Sequence, residues 1–368
     1  MATHSHVKLF RGVGLTDLLV GLAIGMLAML VIIKVAVLFE ARRKSTVGAA
    51  DAQQNVAIAV SLMSRELRMA GQGLGPVDSP GCAVAHDLGT ALGALSLTPV
   101  TIIDGVAGAP DAIQIFSSAT RQSTAAAKLL IAHASTDASM QIDSTLGMQP
   151  EDYLLFYEPG KSCSLVRVTA ISTGAYRVDH STMPLVTPTT PVAAGTVATP
   201  APVDYGSGSR VINLGSLNLV RYAINATNDL QTSRFNLVSA DWQMAGMASG
   251  IVSLQAQYGF DNRPGVQTSP QVTFWSSSMI DADGNGKTGD SNDLKRLIAL
   301  RFAVVARSSE RNDQGCSASL PQWTAGDVTT GQLALIDISL DHVTNWNCFR
   351  YRVLEAEVPL RNLIWNDS

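Results

Sequence analysis

The stretch DADGNGKTGDSND, residues 281–293, holds the strongest ligand-like constellation in the chain. Asp281, Asp283 and Asn285 stand at alternate positions ahead of Gly286, a spacing that presents side-chain oxygens and then a sharp turn, as calcium loops do. Lys287 would add its main-chain carbonyl. The twelfth position is Asn292 where a calcium loop carries a bidentate glutamate, with Asp290 and Asp293 close by as substitutes. Ca²⁺ is a hard cation that takes six to eight oxygens, and these groups with water could supply them at millimolar calcium. No helical pattern precedes the loop, so it is not an EF-hand. The same residue types equally favour a solvent-exposed turn.

The second constellation is the four cysteines, Cys82, Cys163, Cys316 and Cys348, none of them in a CxxC pair. Wide, even-numbered spacing in an exported chain reads as two disulfides. Three pairings exist, and Cys82–Cys163 with Cys316–Cys348 close the two shortest non-overlapping loops. Four buried free thiols are the alternative. The six histidines, at 4, 6, 86, 133, 180 and 342, show neither metal-binding spacing nor a neighbouring nucleophile motif. GxSxG, HExxH, P-loop and Rossmann fingerprints are absent, and GQGLG at 71–75 follows a helical pattern where a phosphate loop would precede one. The expected class is non-enzymatic. A net charge of −4 gives no basic footprint for nucleic acid.

The third constellation is one carboxylate in the wrong solvent. RGVGLTDLLVGLAIGMLAMLVIIK, residues 11–34, is apolar except for Asp17 near its start. From Val13 to Ile33 the run is about 21 residues, enough for a helix to cross roughly 30 Å of hydrocarbon. A charge there costs a few kcal/mol or more unless it is paired. No small-residue cleavage site follows the run, unlike a secretory signal. Lys8 and Arg11 precede it while Lys34, Arg42, Arg43 and Lys44 follow it, so charge counting does not settle orientation.

The element that carries Asp17 continues beyond the apolar run. Val56, Val60, Met63, Leu67 and Ala70 recur at helical spacing, with Arg65, Glu66 and Arg68 on the opposite face. No proline interrupts residues 13–70, and glycines at 71, 73 and 75 stop the pattern. The expectation is one helix over 13–70, membrane-spanning over 13–33 and amphipathic over 34–70. A plain signal-anchored protein with an external globular domain fits the same features.

RGVGLTDLLVGLAIG resembles the leader and mature N-terminus of type IV pilins and type II secretion pseudopilins. The resemblance implies a leader of residues 1–12, cleaved by prepilin peptidase after Gly12, and N-methylation of Val13. It also places Asp17 at the family's acidic fifth mature position, where the acid pairs with a neighbouring subunit's N-terminal amine during assembly. Val13 replaces the usual phenylalanine or methionine and Asp17 the usual glutamate. Gly14 is a rival cleavage point, but a cut there would make Asp17 the third mature residue.

CFRYRVLEAEVPLRNLIWNDS (348–368), IVSLQAQYGFD (251–261) and LKRLIALRFAVVARSSE (294–310) resemble PilW-type minor pilins. The implied fold is α+β and type IV pilin-like, a long N-terminal helix packed on a large β-rich head at 71–368. Implied partners are other minor pilins, the major pilin, prepilin peptidase and a tip adhesin. The implied location is a single pass of the inner membrane with a periplasmic head, then the pilus tip. A GspJ-type pseudopilin is the nearest alternative; a signal-anchored periplasmic binding protein or hydrolase is the alternative of another class.

Within the head, residues 111–118, 153–159, 164–171 and 175–180 read as strands and 211–229 as a hairpin. The Pro/Thr-rich 182–209 reads as a long surface loop or a seam between subdomains.

Overall fold

The computed structural model describes residues 14–74, 82–88, 92, 95–118, 126–182, 201–265, 269–311, 316–327 and 329–364. Helix α1, Leu15–Arg68, is 54 residues long, close to 81 Å at 1.5 Å per residue. It begins at Gly14 in extended conformation. It ends where Gly71 turns left-handed at φ +75° and donates its N–H to Phe116 O at 2.8 Å, tying the end of the helix to the head.

The head is layered, and the two-residue period of its strands explains how. In the five-stranded antiparallel sheet the order is Asp241–Ala248, Leu230–Asn236, Leu217–Ile224, Ala112–Ser118, Val100–Ile103. Along Leu217–Ile224, Leu217 and Leu219 face one core while Val220 and Tyr222 face another. The core of Leu217 and Leu219 is shared with a larger, mixed sheet of eight strands, in which Leu155, Leu165 and Ile212 point inward. That sheet has a second core on its far side, built on Leu154, Phe156, Val166 and Val211.

The core of Val220 and Tyr222 is shared with the second half of α1 and with a four-stranded antiparallel sheet. The order there is Phe274–Ser276, Ile251–Phe260, Leu297–Arg307, Tyr351–Pro359. Leu297–Arg307 is central, and it reads as a near-continuous apolar run because both of its faces are covered. Phe302, Val304 and Ala306 meet α1's core, while Ala303 and Val305 meet the hairpin Gln322–Gly326/Leu333–Asp337.

Both disulfides take the pairing expected from the shortest loops, Cys82–Cys163 and Cys316–Cys348. The first clips the one parallel strand pair described, Ala83–Ala85 beside Cys163–Ser172. The four expected strands are found at Ala112–Ser118, Tyr153–Tyr157, Cys163–Ser172 and Arg177–His180.

Residues 211–229 differ from the expected hairpin. Arg210–Gly215 pairs within the eight-stranded sheet, whereas Leu217–Ile224 pairs within the five-stranded one. Only Ser216 separates them, too little for a hairpin loop. The hairpin is instead Leu217–Ile224 with Leu230–Asn236, closed by an Asn225 side chain that accepts from the Thr227 and Asp229 N–H groups at 2.9 Å each. Of the Pro/Thr-rich stretch, 183–200 lies outside the described residues. Residues 201–209 run over the far side of the eight-stranded sheet, where Tyr205 is buried and its hydroxyl donates to Ser162 O at 2.8 Å.

Candidate functional site

At the start of α1, Asp17 occupies the third helical position and its carboxylate accepts the Gly14 backbone N–H at 3.3 Å. This is the reach-back half of a capping box, and the helix N-terminus favours a negative charge there. Gly12 and Val13 lie outside the described residues. Leu15–Glu40, 26 residues with none buried, is long and apolar enough to cross a membrane.

The second half of α1 is an interface. Val56, Met63, Leu67 and Ala70, picked out by their spacing, are all buried, with Ala52 and Ala59 on the same stripe. Polar ties flank this stripe. Asn55 Nδ2 donates to Ser249 O at 3.1 Å, and Glu66 pairs with Arg234 at 3.0 Å. At the helix end, Asn362 Nδ2 donates to Ala70 O at 3.0 Å and to Arg68 O at 3.5 Å, satisfying carbonyls the helix cannot. The strand Tyr351–Pro359 therefore runs alongside α1 in the same direction, from Ala49 and Ala52 near its beginning to Ala70 at its end.

The acidic loop lies at that same far end. One oxygen each from Asp281, Asp283 and Asp293 lies within 4.8 Å of the other two. Asp281 accepts from the N–H groups of Gly284, Asn285 and Gly286 at 2.8, 3.0 and 2.7 Å, and the Gly286 bond foremost holds its carboxyl below the usual range. Asp293 is fully buried and accepts from Ala282 at 2.6 Å and Gly289 at 2.7 Å. Burial still pushes its carboxyl upward, against those bonds. Asp290 caps the short helix Ser291–Lys295, accepting from Asn292 and Asp293 at 2.9 and 3.1 Å. Burial raises its pKa, but the Asn285 amide and these N–H groups together bring it below the usual value. Asn285 bridges Asp283 and Asp290 through its amide, at 2.9 Å to each. The charge of Lys287 helps to lower Asp290, and its backbone N–H donates to Asn285 Oδ1 at 2.7 Å. The arrangement concentrates carboxylates in a loop already folded by Asx turns, which suits a hard cation.

Residues 219–362 match the PilW family, type IV pilus-assembly protein W. No curated protein and no solved structure matches the chain. PilW is a family of pilus assembly and not of catalysis. The PilW match covers most of the strands that pack on α1. It takes in three strands of the five-stranded sheet, the whole four-stranded sheet, its covering hairpin and Asn362, and it includes the acidic loop. The eight-stranded sheet precedes the PilW match entirely.

Two buried polar features carried no sequence signal. His133 and His180, 47 residues apart, meet Nε2 to Nε2 at 3.0 Å between strands. Asp111, 2% exposed, takes the Gly105 N–H at 2.9 Å and the Ala256 N–H at 2.8 Å, joining two sheets, and burial raises it to about 7.

Proposed function

We propose that this chain is a minor pilin that enters the inner membrane by α1, is cut after Gly12 and methylated on Val13. It then joins other minor pilins in a complex that primes assembly and caps the fibre beyond the major pilin. Twitching, adhesion and DNA uptake would follow as downstream roles. The observation that carries the reading is the division of α1: an apolar half with nothing packed on it, and a second half gripped by the PilW-matching region. A bare apolar helix needs lipid or other helices around it, and a filament core provides the second.

Asp17 has the role of a docking charge, exchanging its local Gly14 N–H for the amine of a neighbouring subunit. The measurement that comes first is the N-terminal mass of the protein from host membranes. A chain beginning at methylated Val13 supports the reading, and an intact Met1 or Ala2 overturns it. Asp17→Ala should then abolish fibres while leaving the head's melting temperature unchanged; normal fibres would remove the docking role.

The acidic loop is read as a Ca²⁺ site of Asp281, Asp283 and Asp293, with Asn285, Asp290 and the Lys287 carbonyl near it. The expected dissociation constant is about 10⁻⁴ to 10⁻³ M. Calorimetry with CaCl₂ should show binding that Asp281→Ala removes. No heat and no thermal stabilisation at several times that concentration would reduce the loop to a turn.

A further inference from the structure

The end of the head nearest the apolar half of α1 is a basic foot. Gly48 is the first buried residue met along the described part of the helix after Glu40, about 12 Å further on by helical rise. A Cβ at Gly48 would lie 3.1 Å from Ser309 Oγ, so glycine lets the Ser308–Arg311 segment close onto the helix. Beside this contact is an open groove of about 380 Å³, lined by Ala49 and Ala52 of α1 and by Phe349, Arg350 and Arg352 among others.

Two arginines, Arg350 and Arg352, line this groove, and Arg307 and Arg311 lie beside it on Phe349 and Cys348. Arg350, just before the strand Tyr351–Pro359, and Arg352 within it are both exposed. Arg307, paired across the sheet with Tyr351, lies on the other face from Arg352, stacks its guanidinium 4.4 Å from the Phe349 ring, and has a buried Nε with no acceptor. Arg311 is exposed and points Nη2 at the sulfurs of Cys316 and Cys348, at 3.6 and 3.4 Å, in place of a carboxylate. Among the described residues none of the four forms an ion pair. Of the acids near this contact, Glu310 and Asp51 are both exposed.

We infer that this foot binds the headgroup of an anionic phospholipid, with the phosphate at Arg350 and Arg352 and the groove beside Phe349 taking the glycerol region. The inference rests on α1 spanning the membrane. Three facts favour lipid as the occupant. The cations share one sign. They stand beside Ala49, about 14 Å by helical rise past Glu40 at the end of the span Leu15–Glu40, within arginine reach of a headgroup layer some 5–8 Å deep. The groove also offers an aromatic wall beside the charges. Such contact holds the head at a fixed tilt on the bilayer before the subunit leaves it.

The test uses the full chain reconstituted in vesicles of phosphatidylcholine alone or mixed with phosphatidylglycerol, followed by native mass spectrometry of retained lipid. Phosphatidylglycerol should be retained in preference, and each exposed arginine removed should lower that preference roughly fivefold at low salt. Arg350→Gln/Arg352→Gln should therefore lose about twenty-five-fold while melting like the parent protein. Equal retention of both lipids, or an unchanged preference in the double variant, overturns the foot. Vesicle flotation separates the two ideas: a chain that floats with both vesicles yet shows no lipid preference loses the foot and keeps the span. A chain that floats with neither loses the span itself.

Discussion

The residue with the most distinctive chemistry outside α1 is His133. His180 Nδ1–H must donate to the Ser181 carbonyl, 2.6 Å away, so His180 Nε2 is bare and accepts from His133 Nε2–H. His133 Nδ1 is then a bare, buried nitrogen without a partner. Both rings are neutral. Burial first, then the charge of His180, lowers His133 to about 4 although Asp137 and Asp204 oppose this. Burial likewise lowers His180. An unfolded histidine titrates near 6.5, so the stability held by the neutral pair is complete above that pH. It is lost as pH falls from 6.5 towards 4, on the order of 3 kcal/mol for His133. Asp111 runs the other way: raised to about 7, it costs stability as pH climbs from its ordinary 3.8. The two are separable. In His133→Gln, whose amide can still donate to His180, the fall in melting temperature between pH 6.5 and 4 should shrink; an unchanged profile would assign the acid sensitivity elsewhere.

At the scale of elements, α1 is one helix with two solvents. Met63 is fully buried and Leu22 is 53% exposed. Met63→Ala should cost about 2–5 kcal/mol in urea unfolding of the head, and Leu22→Ala close to nothing. Equal effects would mean that the helix does not divide as described. This element was the most legible in the chain, because period and uninterrupted length are local properties. The strands 112–118, 153–157 and 163–172 were legible for the same reason: alternation along Cys163–Ser172 follows from its two faces meeting different cores. Pairing was less so. Arg210–Gly215 and Leu217–Ile224 are adjacent in sequence but lie in different sheets, and nothing local to Gly215 says where the next partner is. The histidine pair escaped for a similar reason, since two residues 47 positions apart share no period. The acidic loop was visible as a motif, but the separation between the buried Asp293 and the cap Asp290 came only with the short helix after it.

At the scale of the whole molecule, the layers are fixed by crosslinks of very different span. Cys82–Cys163 encloses a separation of 81 residues and Cys316–Cys348 one of 32. By loop-closure entropy the first contributes about 4.5 kcal/mol and the second about 3.7. Replacing Cys82 and Cys163 together by serine should lower the head's stability by that order, and the eight-stranded sheet should lose amide-exchange protection before the sheets that hold α1. Simultaneous loss throughout would show a single cooperative unit. The bond from Asn362 to Ala70 has a different consequence, one of time. Its two residues are 292 apart, and at about 5–20 residues per second a ribosome needs roughly 15–60 s to make the second after the first. For that interval the helix is already synthesised while the strand that covers its apolar stripe does not yet exist. The nascent chain must wait with that stripe bare, so the synthesis of the stretch from Tyr351 to Asn362 decides when waiting ends, and its loss leaves the stripe uncovered there.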